Sequence, residues 1–397
     1  MERIRAAIIV SHPIQHFIHL YRALAKEPSL ELLVIYCSDM GARSYFDEDM
    51  GVEIAWKTDL LTGYKSVVLS ESAHIMNIKH WILDNPSVTR VLGEFRPQIV
   101  MQHGYSQLSL LRCLFWCRLH RVPVLLWSDS SLLYRRGLLK RVVKRTVITF
   151  LMNQYSGVLT SGDNNEKYYR HYGVPQKKLF RCPFTIDEKL FTEARNSRTL
   201  LRKELRARYG LSEDAFVILF VGKLMPWKRP KDVLEALLLL RESHSSSAQR
   251  VAAFFAGDGA LRPELEAYSS RHNIRAIYGG FINVDILPSI YAMADVLVFP
   301  SGREAYGLSA REAISVGLPM IISDQIGCVG PNDAARDRQN AIVYPAGDIK
   351  ALANGIYSLA GDESLLRRMG DVSLRVAEEL NSIISVKGFM RAVHSLC

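Results

Sequence analysis

Lys223 follows Gly222 directly, and Lys228 stands a few positions further on, just ahead of Pro230. A glycine closing an apolar run, two ammonium groups and a proline placed to start a helix are an arrangement that gathers an anion. The other reading is a loop with two solvated lysines, and the spacing is not that of a Walker phosphate loop. Gly257-Asp258-Gly259 sits where another apolar run ends, and glycines there let backbone approach a ligand closely. Further on, Pro300 ends a third run, a loop carries Glu304, and a turn at Gly307-Leu308-Ser309 opens a helix that includes Glu312. The free N–H groups of that helix start, beside Glu304, suit sugar hydroxyls or phosphate oxygens. Glu312 reaches the same ligand from the following turns.

These groups need elements that aim them. In the first half, short apolar runs at Ala6-Val10, Leu32-Tyr36, Ile99-Met101, Val124-Trp127 and Gly157-Thr160 alternate with helical segments. Runs so short and so aliphatic read as strands buried on both faces of a parallel sheet. A second series follows at Phe216-Val221, Ala252-Ala256, Ile274-Tyr278, Val296-Phe299 and Met320-Ser323, separated by helical stretches such as Pro230-Arg241 and Ser309-Val316. The 397 residues suit two α/β domains at a prior of about 150 residues each. We expect two facing Rossmann-like doubly wound domains, 1-195 and 196-380, divided near 195 ahead of a charged helix at about Ser197-Tyr209. Ligands of such sheets sit beyond the carboxyl ends of the strands, here at an interdomain cleft.

The spacing of Glu304 and Glu312, with Gly317-Leu318-Pro319 after it, resembles the E-x7-E signature of the retaining GT-B glycosyltransferases of family four. The surroundings agree: Gly222-Lys223-Leu224 with Lys228, Gly257-Asp258-Gly259, Tyr278-Gly279-Gly280-Phe281, Ala294-Asp295-Val296 and Asn340-Ala341-Ile342-Val343, covering about residues 215 to 350. The resemblance implies that Lys223 and Lys228 hold the diphosphate of a UDP- or GDP-sugar and that Glu312 binds its ribose. Glu304, with the backbone of Gly307, Leu308 and Ser309, would face the transferred sugar, and Phe281 and Ile282 would line the base pocket. Gly222 and Gly257 complete the donor site. It also implies retention by same-face attack, no metal or other cofactor, and a last segment, 381-397, that packs back on the N-terminal domain.

In the N-terminal half, Val10-Ser11-His12-Pro13-Ile14-Gln15-His16-Phe17 stands between the first strand and the first long helix. Most members of the family it resembles have a glycine-rich turn there. The Ser-His-Pro-Ile-Gln start resembles a bacterial surface-polysaccharide subgroup, which makes His12, Gln15 and His16 candidates to touch the acceptor; a purely local turn role is the alternative. Where many members carry a histidine after the strand Val124-Trp127, this chain has Ser128-Asp129-Ser130. Asp129 is the candidate replacement, for orienting sugar or acceptor. His103, beyond Met101, is a second candidate, or else a histidine satisfied locally near a strand end.

The formal charge of +10 calls for an anionic partner. Between Leu132 and Phe150, Arg136, Lys140, Arg141, Lys144 and Arg145 fall on one side of a helical wheel and the aliphatic residues on the other, with Arg135 off the pattern. Such a helix fits an anionic membrane surface or a polyprenyl-pyrophosphate-linked acceptor, or else it is an ordinary helix with a solvated basic face. No nucleic-acid module is recognisable. A glycosidase built on Glu304 and Glu312 would leave the lysines without a purpose. The six cysteines form no C-x-x-C pair and read as reduced thiols, most of them in the core. The run Ala6-Val10 is too short for a signal-peptide core and no run is long enough to span a bilayer. The reading is therefore a cytoplasmic enzyme, peripheral on the inner face of the plasma membrane, that transfers sugar to a glycan or lipid-linked acceptor in surface polysaccharide or glycoconjugate synthesis. Its rivals are a sugar-nucleotide epimerase or hydrolase, which would need no acceptor, and an inactive protein that binds the nucleotide without turnover.

Overall fold

The structure is a computed structural model that describes residues 3–74, 82–133, 138–243 and 250–397, with the side chains of 73–74 and 138–144 left aside. The chain divides into two compact units, Met1–Tyr45 with Thr58–Ile186 and Asn381–Cys397, and Phe46–Lys57 with Asp187–Leu380. The division expected near 195 falls instead at Ile186/Asp187, because the helix Glu188–Asn196 packs against the helices Leu287–Met293 and Leu308–Ser315 of the second unit. A segment the sequence reading left in the first domain, 46–57, clusters with the second.

The first unit is built on a seven-stranded sheet. Its strands are β1 (Ile4–Val10), β2 (Leu30–Tyr36), β5 (Ser66–Val68), β6 (Ile99–His103), β7 (Val124–Trp127), β8 (Gly157–Thr160) and β9 (Leu179–Arg181), in the order β5-β2-β1-β6-β7-β8-β9. Every pairing is parallel. The central strands are aliphatic along their length because helices cover both faces, and β7 is buried throughout. The last helix, Ser382–Leu396, packs on β8, β9 and the first helix, Gln15–Leu24. Ser385 donates to the Pro183 carbonyl at 2.8 Å. Gly388 permits the approach, since a Cβ there would lie 1.8 Å from the Arg181 carbonyl oxygen.

The second unit holds β10 (Phe216–Val221), β11 (Val251–Ala256), β12 (Ala276–Gly280), β13 (Val296–Phe299), β14 (Met320–Ser323) and β15 (Ala341–Tyr344), in the order β12-β11-β10-β13-β14-β15. This sheet too is parallel throughout. The strand expected at Ile274-Tyr278 runs instead at Ala276–Gly280, because pairing with β11 carries it into the two glycines. A short ribbon, β3 (Tyr45–Asp47) with β4 (Val52–Ile54), precedes the sheet in sequence. At the amino ends of β10 and β13 the buried Arg206 donates to Asp295 and the Ala215 carbonyl, each at 2.8 Å, and Asp295 accepts from Val217 N–H at 2.7 Å. That ion pair pins the two central strands at the end remote from their ligand-facing loops.

In both sheets the strand order reverses at one place, between β1 and β6 and between β10 and β13. Crevices at such switch points, outside the carboxyl ends, are where doubly wound sheets take ligands.

Candidate functional site

In the second unit the switch point gathers three loops. Beyond β10, Gly222 N–H bonds to the Ala256 carbonyl at 3.0 Å and Leu224 N–H to the Asp258 carbonyl at 2.8 Å, which ties this loop to Gly257-Asp258-Gly259. Gly257 has φ +153°, and a Cβ there would stand 2.0 Å from the Gly222 oxygen, so no other residue fits without moving backbone. The loop then makes a short 3-10 turn, Pro226–Lys228, passes through Arg229 in left-handed conformation, and enters the helix Pro230–Ser243. Gly302 N–H bonds to the Trp227 carbonyl at 2.9 Å, and this joins the loop beyond β13 to the lysine loop.

As a result Lys228 forms an ion pair with Glu304, both side chains about one-fifth exposed, with its ammonium 5.6 Å from the centre of the Phe299 ring. Gly307, at φ +102°, caps the helix Leu308–Ser315, and a Cβ there would meet Ile326 Cγ2 at 2.7 Å. Its N-cap Gly307 makes no side-chain cap hydrogen bond, which leaves N–H groups at the helix start for a ligand to meet. Lys223 is engaged differently: its ammonium bonds to both carboxylate oxygens of Asp47 and to Asp49, all at 2.9 Å.

Glu312 is half-buried and accepts a 2.6 Å hydrogen bond from the Tyr291 hydroxyl. Burial pushes its pKa up to about 7, and the bond from Tyr291 only partly offsets this. Phe281 and Ile282 follow β12, and the Trp56 ring stands edge-on to Phe281 with centroids 5.8 Å apart. The glycines, both lysines, Glu304, the Gly307-Leu308-Ser309 turn and Glu312 are thus carried by loops that the sheet converges. Sequence reading missed Tyr291, whose position on an apolar helix gave no sign of a polar role. It also missed Asp47, Asp49 and Trp56, which are remote in the chain.

In the first unit the corresponding loops present a different chemistry. His103 ends β6 and is buried, with Nε2 2.8 Å from the Tyr21 hydroxyl and its ring 4.3 Å from Phe17 and 5.1 Å from Trp127. His16 packs on Phe17 and Phe184 at 4.4 and 5.3 Å. His12 Nδ1 lies 2.9 Å from the Ser11 hydroxyl. Burial lowers all three pKa values, to about 4 for His12 and about 3 for His16 and His103, so the imidazoles are neutral at pH 7. For His16 the neighbouring His19 and His12 add to the effect, and for His103 His16 does. Gln15 opens the first helix with its side-chain oxygen buried and without a hydrogen-bond partner. His16 and His103 share one aromatic cluster, and His103 Nδ1 is buried without a hydrogen-bond partner. Asp129 is exposed beyond β7.

The basic helix runs Leu138–Met152 rather than from Leu132. Arg135 and Arg136 lie outside the described residues, as do the side chains of Lys140, Arg141 and Lys144. Its described end is exposed at Arg145, Val147 and Phe150. Among the described residues no helix is long and apolar enough to cross a membrane.

Residues 202–373 match the family described as Glycosyl transferases group 1. Among curated proteins, D-inositol 3-phosphate glycosyltransferase of Streptomyces bingchenggensis is 28% identical over 228 residues, 56% of this chain and 48% of that one. Alpha-D-kanosaminyltransferase of Streptomyces kanamyceticus is 30% identical over 203 residues, 50% of this chain and 49% of that one. The match thus spans about half the length of these relatives. Among solved structures, HepE of Anabaena in complex with UDP aligns over 99% of this chain and 100% of its own, with TM-score 0.72 at 16% identity. The sucrose-phosphate synthase of Thermosynechococcus elongatus aligns over 100% of both, with TM-score 0.69 at 20% identity.

Proposed function

We propose that this chain transfers a hexose from a UDP- or GDP-sugar to a glycan or lipid-linked acceptor, a reading supported by the match of residues 202–373 to the group 1 glycosyl transferases and by the GT-B fold of two Rossmann-like domains. The observation that carries this reading is the convergence of Lys228, Glu304 and the open helix start at Gly307 on one switch point. Support for a nucleotide-sugar donor also comes from HepE, which was solved with UDP and with UDP-glucose.

As the sugar leaves, negative charge grows on the diphosphate and positive charge on the anomeric carbon. Fixed cations and free N–H groups stabilise the first, and they are worth most where they need no reorganisation at the moment of reaction. In this reading Lys228 and Lys223 hold the diphosphate in place of a metal, with the N–H groups of Leu308 and Ser309 beside them. Glu304 faces the sugar, Glu312 accepts from the ribose hydroxyls, and Phe281 and Ile282 receive the base. The acceptor hydroxyl attacks from the face the diphosphate leaves and gives its proton to the departing phosphate, so the anomeric configuration is retained. His12, Gln15, His16 and Asp129 are the acceptor-side residues, and the exposed end of the helix Leu138–Met152 is the proposed contact with an anionic membrane, on the cytoplasmic side, during surface polysaccharide synthesis.

The test is to incubate the chain with UDP- and GDP-sugars, with and without a polyprenyl-pyrophosphate glycan and in the presence of a chelator, and to measure nucleoside diphosphate release. Acceptor-dependent release is the expected result. Release that ignores acceptor would point to a hydrolase or epimerase, and no binding of either nucleotide would remove the donor site.

A further inference from the structure

The ribbon formed by β3 and β4 reaches the donor loops at two places. At one end, both carboxylate oxygens of Asp47 and one of Asp49 bond to the Lys223 ammonium, each at 2.9 Å. The Asp47 side chain is only 11% exposed, so this is not a loose surface pair. The turn is organised around it: Met50 N–H donates to Asp47 Oδ1 at 3.0 Å and Gly51 N–H to the Asp47 carbonyl at 2.8 Å. At the other end, Trp56 stands edge-on to Phe281, Asn283 donates to the Ala55 carbonyl at 2.7 Å, and Lys57 lies 3.4 Å from Asp285. One short segment thus touches the residue expected at the diphosphate and the residue expected at the base.

Two carboxylates on one ammonium leave a local charge of opposite sign to the one a diphosphate needs. A ligand with two or more negative charges is repelled there until the carboxylates withdraw. Burial alone would lower the Lys223 pKa, but its bonds to Asp47 and Asp49 outweigh this and hold it raised while they are in place.

Building on the donor-site reading above, we propose that segment Phe46–Lys57 is a built-in competitor of the donor: Asp47 and Asp49 occupy Lys223 in the ligand-free protein and release it when the diphosphate binds, with Trp56 moving against Phe281 as they do. The occupied state reduces the fraction of protein competent to bind, and the apparent affinity falls by that fraction.

The experiment is a calorimetric titration of UDP, GDP and pyrophosphate into the native chain, Asp49→Asn, Asp47→Asn/Asp49→Asn, Lys223→Ala and the triple variant. We expect the double variant to bind the preferred nucleotide and pyrophosphate about 10-fold tighter, Asp49→Asn to gain less, and the gain to vanish on the Lys223→Ala background, where nothing is left to compete for. Nucleotide should also shift the Trp emission of the native chain by a component missing from Trp56→Phe. Unchanged or weaker binding in both aspartate variants, at a native-like thermal midpoint, overturns the competitor while leaving the donor site standing. A native chain and double variant that both fail to bind any of the three ligands overturn the donor site and the competitor together.

Discussion

The two sheets share a strand pattern and differ in what they place at the switch point. Beyond β10 and β13 stand charged groups in opposed pairs, Lys228 with Glu304 and Lys223 with Asp47 and Asp49. Beyond β1 and β6 stand histidines kept neutral by burial among Phe17, Trp127 and Phe184. One scaffold therefore offers an electrostatic site and an aromatic, hydrogen-bonding one. The first suits a diphosphate whose charge must be matched; the second suits an uncharged hydroxyl-bearing group. The scaffold supplies the position of the crevice, and the loop residues supply its chemistry.

The comparison breaks most decisively at Lys228. Lys228→Ala should lower turnover by about 100-fold or more, the scale of removing one preplaced charge-stabilising donor, while the loss of a partly exposed ion pair costs only about 1 kcal/mol of stability. Steady-state kinetics beside a thermal melt would separate the two, and a turnover loss under about threefold would remove Lys228 from the charged site.

The next effect concerns Glu312. A carboxyl whose folded pKa stands at about 7 binds its proton more tightly folded than unfolded, so its contribution to stability declines as pH rises from the usual carboxylate range through 7. Glu312→Gln should therefore be more stable than the native chain at pH 8 and not at pH 5, by up to roughly 3 kcal/mol. Because the ionised form is the better acceptor for ribose hydroxyls, native nucleotide affinity should rise across the same window more steeply than in Glu312→Gln. Melts and nucleotide titrations at pH 5 to 8 check both; equal pH slopes in the two proteins would contradict the assignment.

The smallest effect sharpens the neutral side. His16 and His103, with folded pKa values of about 3, bind fewer protons folded than unfolded below the ordinary histidine range. Stability should thus fall as pH drops below about 6.5, by at most about 1.4 kcal/mol per pH unit for each. His16→Phe should lessen the acid loss between pH 7 and pH 4.5, and should leave nucleotide affinity at pH 7 within about twofold of native. An acid transition unchanged by the substitution would mean that this imidazole already titrates in its usual range.

Much of this was legible beforehand. β7, β8, β10, β13 and β14 have the ends read from their apolar runs, because strands covered on both faces are aliphatic along their full length. β5 and the ribbon β3-β4 were not legible: they are three residues long and only partly buried, so their side chains carry no period. The domain boundary was misjudged because Glu188–Asn196 looks like a linker helix by composition and is assigned only by what it packs against. Glu304, Gly307 and Glu312 were found together because one loop and one helix carry all three. Tyr291 was not, because its hydroxyl has meaning only beside Glu312.

What the sequence determined by itself is therefore local: which runs are strands, that Gly307 opens a helix, and that Lys223 and Lys228 stand on a loop aimed by β10. Backbone geometry sets these over a few residues. The pairings were decided only by tertiary structure. Lys228 meets Glu304 across 76 positions and Lys223 meets Asp47 across 176. Such contacts follow from the order in which strands lie in a sheet and from where an isolated ribbon comes to rest, and neither depends on the residues adjacent in the chain.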